Sequence, residues 1–458
     1  MNGKYRDAIA EASEILMEAM LEDSDQLISE GRQLDGRVRI VVFQLGLCLV
    51  RNLYLVLQNK LIKDAKTKGF TVERRPVLTF KTVFGPMELE SVYLYDREQR
   101  EGYRPLREEF GVIGDRYSDT VERALTDFGI EKSFGRAAER FAEHYGWEVG
   151  RTTILRLTER LGEQAEDFLE ERFQQGEARY NESDKKAPKA ERMITSLDGC
   201  MLRTGQLMTA QEAVLLADND DKRAHYEQLD PDKTVRLEKW KEVRTGLARR
   251  PGQVDPVYIC RRGDYETVCR HLFGAAGLQK LGFETEVVGL IDGAFGLKES
   301  MELSFANLQI ILDPSHLRHH FYEAAHELGL ADASAKSWVD GYFEQLADGH
   351  ALKVVADLES ECANYEEDSK IFERMQRLIG YLTRFLNCVH YRKYKDDEWP
   401  IGSGESESAH RFIPQERLKI AGACWREETL NPMLALRVIR ANGWWNDFWK
   451  SEAERRAA

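Results

Sequence analysis

Across 458 residues the chain has only seven cysteines, Cys48, Cys200, Cys260, Cys269, Cys362, Cys388 and Cys424, and no CxxC pair. They are scattered and odd in number, so neither a zinc ribbon nor a disulfide framework is indicated. A reducing, cytoplasmic setting fits that usage. A signal-peptide pattern is also missing, because the first twenty residues mix charge throughout. So is a long hydrophobic run. The most apolar stretch, IVVFQLGLCLV from Ile40, is broken by Gln44 and followed by Arg51-Asn52. It is too short and too polar to span a bilayer, and it reads as a buried helix with no membrane partner. Positive charge is in deficit as well. A net charge of -14 counts against a generic nucleic-acid binder, because phosphate contacts need Lys and Arg. A local field survives a negative total, however. Between Lys60 and Lys81 seven basic residues stand against two acidic ones.

What is present is a soluble globular composition, 42% hydrophobic and 31% charged, with material for roughly two to four domains. Residues 1–60 read as helices. The stretch PVLTFKTVFGPMELESVYLYD switches to period two and predicts a β-hairpin over 77–95, turning at Gly85-Pro86. From about Ser118 to about Gln175 the pattern is helical again. The polar run NESDKKAPKAER, 181–192, reads as a linker. Beyond it the chain alternates. Strands are expected at Met193–Leu197, Trp240–Leu247, Val257–Cys260, Glu286–Ile291 and 308–313, with a helix over DYETVCRHLFGAAGLQKLG. That order predicts a mixed sheet with helices packed on it. From His316 to about Asp397 the pattern is purely helical, WPIGSG breaks it at 399–404, and a final helical region follows.

Two of the apolar strands are expected to end in the same way, at Asp198-Gly199 and Asp292-Gly293. Each is an ordinary turn or half of a site. If the strands are neighbours, the carboxylates meet. Two carboxylates ~4 Å apart repel by about 4 kcal/mol at an effective dielectric of ~20. A divalent cation removes that repulsion, and oxygen ligands favour Mg²⁺ or Mn²⁺. A third element is WPIGSGESESAHRFIPQERLKIAG. Pro400, Gly402 and Gly404 make a loop that opens a helix, with Glu405, Glu407 and His410 in its first turns. Glu407 and His410, three residues apart, share a face. Acidic residues there also favour the helix dipole, which is explanation enough for Glu405.

SLDG, LIDGA, ILDPSHLRHHF and PIGSGESESAHRFIPQERLKIAGACW, in this order, resemble bacterial insertion-sequence transposases of the Mutator-like, Kra-type group. These are DDE enzymes with an RNase H-like catalytic core. The resemblance runs from about residue 75 to the end and is most specific in the closing stretch, through LNPMLALRVIRANGWWNDFW. It implies that Asp198, Asp292 and Glu407 are the catalytic, metal-holding acids, with Glu407 set by counting from Gly402. It implies Mg²⁺ or Mn²⁺ as cofactor and two-metal chemistry, in which transposon ends are cut and 3' ends are joined to target DNA. Asp313 and His316, an Asp-x-x-His step, resemble a further motif of these enzymes. They either support the site with His410 or merely start a helix.

EKSFGRAAERFAEHYGWEVGRTTILRLTERLG, 131–162, has helix-turn-helix character. Its second helix, starting near Arg151, leaves Arg151, Thr152, Thr153, Arg156 and Arg160 for a groove and its phosphates; the alternative is an ordinary helical hairpin. The hairpin 77–95 matches the family too, but the cysteine-bearing knuckle that commonly follows it is replaced by YLYDREQREGYRPLREEFG. Trp425, Trp444, Trp445 and Trp449 suit core packing better than base stacking. The expected organisation is a multidomain α/β protein. Its parts are N-terminal helices and β-hairpin (1–115), a helix-turn-helix DNA-binding region (116–180), the first part of an RNase H-like mixed sheet (192–318), a helical insertion (319–398) and closing helices (399–458). The implied partners are double-stranded DNA, as transposon ends and target, and a second copy of the chain on that DNA. The implied location is the bacterial cytoplasm, at the nucleoid. The rival readings are a transposase-derived protein that binds DNA without cutting, and an RNase H-like nuclease without strand transfer.

Overall fold

The computed structural model describes residues 3–29, 31–181 and 189–457. Of the expected linker, 181–192, residues 182–188 lie outside them, while Asn181 ends a helix and Arg192 begins a strand. The chain forms two compact units, one of Met1–Leu125, Ala138–Val149 and Ala453–Ala458, the other of Thr126–Ala137 and Gly150–Glu452.

The first unit is built around a long helix, Leu34–Thr67. Five short strands follow: β1 (Thr71–Arg74), β2 (Val77–Thr82), β3 (Gly85–Glu90), β4 (Tyr93–Asp96) and β5 (Glu101–Tyr103). β2 and β3 pair as an antiparallel hairpin, while β1, β4 and β5 form a separate sheet in the order β1-β4-β5. The expected hairpin is therefore two pieces of two sheets. Its turn is also one step earlier than the Gly-Pro signal implies. Thr82 pairs with Gly85, so Val83-Phe84 make the turn and Pro86 lies in the strand, opposite Lys81. One face of the long helix buries Ile62 and Ala65 with Val92 and Leu94, and lays Leu47, Tyr54 and Leu55 on Phe80, Met87 and Leu89. Buried Gln58 bridges the two sheets. Its amide donates to the Glu90 carbonyl at 2.8 Å and its oxygen accepts from Val92 N–H at 2.9 Å, so neither polar end is left unsatisfied. The expectation that the Ile40 stretch is buried fails on the other face. Ile40, Val42, Leu49, Leu53 and Val56 are all exposed. By length and composition alone, the helical stretch Gly31–Thr67 is long and apolar enough to cross a membrane.

The second unit carries a five-stranded mixed sheet: β6 (Arg192–Thr209), β7 (Thr234–Arg249), β8 (Val257–Arg261), β9 (Glu286–Ile291) and β10 (Leu308–Leu312), in the order β10-β9-β6-β7-β8. β6, β7 and β8 are antiparallel in sequence; β9 is parallel to β6 and β10 to β9. The helix Tyr265–Leu278 crosses from edge strand β8 to β9 and packs on β6, β7 and β8. The helix Arg151–Asn181 packs on that helix and on Leu430–Ala441. It is 31 residues long and buries Ile154, Leu157, Leu161, Ala165, Leu169 and Phe173. Its first turns are the second element of the expected helix-turn-helix, and its body is a core helix of this unit. From Pro314 to Asp396 the chain is helical, with Pro314–Glu327, Ala351–Cys362 and Lys370–Arg384 packed together.

One expectation about the sheet is corrected. β6 does not stop at Asp198. Burial keeps alternating through Cys200, Leu202 and Thr204, and β7 pairs with β6 from Ile194 to Thr209. The partner strand supplies hydrogen bonds on both sides of Asp-Gly, so no turn forms there. β9 does end at Ile291, and Gly293 turns away at φ +84.

Candidate active site

The last paired residues of β6 and β9 are Leu197 and Ile291. Asp198 and Asp292 are therefore the next residues of two parallel neighbours, which run ~4.8 Å apart. Both are partly buried, and they differ in their surroundings. Burial works to raise the Asp198 carboxyl. It is overridden by the hydrogen bond and charge of His410, by the Gly199 N–H and by the charge of His316, and the group ends below the usual carboxylate range. The His410 contact is Nδ1 to Oδ2 at 3.1 Å, and the Gly199 N–H reaches Oδ1 at 2.7 Å. Asp292 goes the other way. Burial pushes it up first, the Asp198 and Glu242 charges add to that, and the Ala294 N–H (3.0 Å) and His316 only partly offset them. Tyr381 Oη donates to the Asp292 backbone carbonyl at 2.6 Å and pins the turn.

Glu242 is a carboxylate that the sequence reading missed. It sits on β7 opposite Met201, and a Cβ on Gly199 would lie 2.3 Å from its Oε1. Arg244 pairs with it at 2.5 Å and stacks on Tyr265, 4.0 Å from the ring centroid. The signal was available in KWKEVRTG. Period two puts Glu242 and Arg244 on one face of β7, but without the β6–β7 register nothing links them to Asp198.

The short helix Gly404–His410 lies along β6. Ser406 Oγ meets Ser196 Oγ at 3.0 Å, and one turn on, His410 meets Asp198. Glu405 points to the β7 side, where both its oxygens are held by Arg249 at 2.6 and 2.7 Å. Glu407 is two residues on, roughly 200° around an ideal helix. It therefore lies off the side of the helix that meets Arg249. Glu407 is exposed. Among the described residues, no group of three or more His, Cys, Asp or Glu side chains is gathered closely enough to hold a metal ion.

Asp313 has two jobs. It caps the helix Pro314–Glu327, accepting from the Ser315 N–H at 2.6 Å. Its other oxygen accepts from the Ser403 N–H at 2.7 Å and from the Ser403 hydroxyl. Only 2% exposed, it ties the end of β10 to the loop ahead of the helix that carries Glu407. Burial would raise its carboxyl, but the Ser315 and Ser403 hydrogen bonds hold it below the usual range. His316 Nδ1 is buried without a hydrogen-bond partner, 3.9 Å from Asp313. After His410 the helix widens into a π-helical segment, Arg411–Gln415, containing Pro414. Buried Arg437 donates to the Phe412 and Ile413 carbonyls and so fixes this segment.

The five residues expected to meet DNA form no part of this cluster. Arg151, Thr152 and Arg156 are exposed on the first turns of the helix Arg151–Asn181, and Thr153 and Arg160 are half-buried there. Trp425, Trp445 and Trp449 are buried. No family model matches the chain, and no curated protein resembles it.

Proposed function

We propose that the chain is a DDE transposase with an RNase H-like catalytic core, cutting DNA at transposon ends and joining the 3' ends to target DNA. One observation carries the reading. Asp198 and Asp292 follow the last paired residues of two parallel, adjacent strands, beneath a docked helix that offers a third acid. The strand order β10-β9-β6-β7-β8 supports it, because it makes the first and fourth strands neighbours, with Asp198 inside the first and Asp292 just beyond the fourth.

The donor set fits a hard divalent cation. Two oxygen ligands stand side by side, and one of them is pushed up partly by the charge of the other, a conflict that Mg²⁺ or Mn²⁺ relieves. Asp198, Asp292 and Glu407 would hold the metal, which when bound supplies activation of the attacking oxygen and stabilisation of the leaving one. The chain's own residues do the positioning. His410 orients the Asp198 carboxylate, Tyr381 fixes the backbone of Asp292, and Asp313 fixes the loop ahead of Glu407. A second reading, a relative that binds DNA without cutting, is favoured by the exposure of Glu407 and the absence of a gathered ligand set among the described residues.

Glutamine substitution separates the two. Glu407→Gln keeps size and hydrogen bonding but removes the ionised ligand. It should abolish Mg²⁺-dependent cleavage of DNA carrying the sequences that flank the gene, while binding to that DNA persists. Glu405→Gln removes only the Arg249 pair, exposed and worth up to about 1 kcal/mol, and should leave substantial activity. Cleavage that survives Glu407→Gln but not Glu405→Gln would transfer the role to Glu405. Wild-type protein that binds DNA yet never cuts it with any divalent metal would establish the non-cutting reading.

A further inference from the structure

A cavity of about 530 Å³ lies between the starts of the helices Leu297–Ser304 and Ala351–Cys362 and the end of Lys370–Arg384. Lys298, His350, Lys353, Arg384 and His390 line it, and no carboxylate does. In a chain of net charge -14, these three Lys and Arg charges are a local field of the opposite sign. Lys298 has only a distant partner, Glu302 at 3.8 Å, and donates to the Arg384 carbonyl at 3.3 Å. Lys353 and Arg384 have no carboxylate partner among the described residues. The Arg384 guanidinium instead stands 5.8 Å from the ring centroids of Phe295, Tyr381 and Phe385. The helix Ala351–Cys362 begins at the cavity. His350 gives it no side-chain cap and no acidic residue stands in its first turn, so no side chain offsets the positive end of its dipole. Phe295, which shares Arg384 with the cavity, is 83% exposed. Its loop is held at both ends. Gly293 and Gly296 turn it at φ +84 and +82, Tyr381 holds the Asp292 carbonyl, and Leu297 is buried.

We propose that this is a nucleotide site, in which Lys298, Lys353 and Arg384 take a phosphate and the Phe295 ring takes the base. Like charges converging on one space repel one another, and a bound anion relieves that repulsion. Phosphate is the anion that suits the donors. Its oxygens match an Arg fork and Lys point charges, and it binds readily at a helix N-terminus. The exposed ring adds what a bare anion does not need. An aromatic face stacks on any base, whatever the sequence. The volume falls within the roughly 300–1,000 Å³ of small-molecule sites and suits one nucleotide unit. Stacking on Phe295 requires a base that is not paired inside a duplex. The ligand is therefore a free nucleotide or an unpaired nucleotide of a DNA strand, which present the same phosphate and base. Phe295 is three residues after Asp292, so whatever is held here lies beside the acids. The cavity, its charge and the ring do not depend on the cutting reading, and no divalent metal is required to fill them.

Isothermal titration calorimetry of the full chain in chelator tests the proposal. The probes are pyrophosphate, ADP and a 5'-phosphorylated single-stranded DNA oligonucleotide carrying 2-aminopurine. Pyrophosphate and ADP should both bind, ADP more tightly. Lys353→Ala with Arg384→Ala should weaken both at least about tenfold. Phe295→Ala should weaken ADP roughly five- to a hundredfold and leave pyrophosphate unchanged, and Phe295→Trp should bind ADP as the wild type does. All three positions are exposed, so the thermal midpoint should not move. An oligonucleotide that binds more tightly than ADP, with 2-aminopurine quenched in the wild type but not in Phe295→Ala, makes the source a DNA strand. The reverse order makes it a free nucleotide. A wild type that binds none of the three probes overturns the proposal, as does binding that survives the double alanine variant. Equal weakening of ADP and pyrophosphate by Phe295→Ala overturns the base stack.

Discussion

Asp198 and Asp292 are neighbours in opposite electrostatic circumstances, and this has a measurable sign. Asp198 is held below its unfolded value near ~3.9 by His410 and the Gly199 N–H. Its stabilising contribution is complete above that value and is lost as pH falls through the lower folded one. Asp292 is raised. Its contribution is complete below ~3.9 and is lost as pH rises through the raised folded value, so at neutral pH its ionised form destabilises the fold. Asp292→Asn should therefore raise the thermal midpoint in chelator at pH 7, and the gain should shrink toward pH 4. With Mg²⁺ the order should reverse. The wild type gains stability by mass action, and Asp292→Asn, lacking a ligand, does not move. Differential scanning calorimetry with and without the metal reads both arms; an Asp292→Asn protein less stable than wild type in chelator would contradict the electrostatic account. The two aspartates were legible in the sequence because each follows an apolar run and precedes glycine. The His410 and Glu242 contacts were not, because they depend on which face each strand turns to the helix, and on a register that local pattern does not encode.

Among the elements, the helices Arg151–Asn181 and Tyr265–Leu278 pack backbone to backbone at glycine. A Cβ on Gly176 would lie 1.9 Å from the Gly274 carbonyl oxygen, and one on Gly277 would lie 2.1 Å from the Gly176 oxygen. Backbone meets backbone here, and no flexible side chain is available to yield. Gly176→Ala should cost about 3 kcal/mol or more, seen as a lower denaturant midpoint. Gly135→Ala, at a helical position with open space around it, should instead gain up to roughly 1 kcal/mol from helix propensity. Equal effects at the two sites would refute the packing argument. The strand positions were readable from period and composition, with β9 read to the residue. The length of β6 was not, because Asp-Gly is a strong local turn signal that a paired partner strand overrides. The exposed face of Leu34–Thr67 was misread for a related reason. Apolarity reports what a helix can bury, and the single chain does not always contain the surface that buries it.

For the molecule as a whole, the charge of -14 sets a condition on the DNA reading. Contacts with phosphate have to be local, because the global field repels the duplex. Arg151 and Arg156, exposed on the opening turns of their helix, are the residues to test. Replacing both with Ala should weaken binding to DNA across sequences and reduce the slope of log affinity against log salt by roughly one per arginine. An unchanged slope would remove them from the interface. At this scale the sequence made the mixed α/β class and the helical run before the Gly-Ser-Gly loop legible. The division into two units was hidden. The chain leaves the first unit, returns to it for Ala138–Val149 and again for Ala453–Ala458, and composition does not mark those crossings.

The contact between His410 and Asp198 joins residues 212 positions apart. Translation at ~5–20 residues per second takes roughly 10–40 s to cover that distance. In the later part of that interval, after Ile291, β6 and β9 can be complete while the helix Gly404–His410 is still unmade. A nascent or prematurely terminated chain of this protein would thus display its first two aspartates without the third acid. The order of synthesis then acts as a delay between the appearance of the two aspartates and that of Glu407.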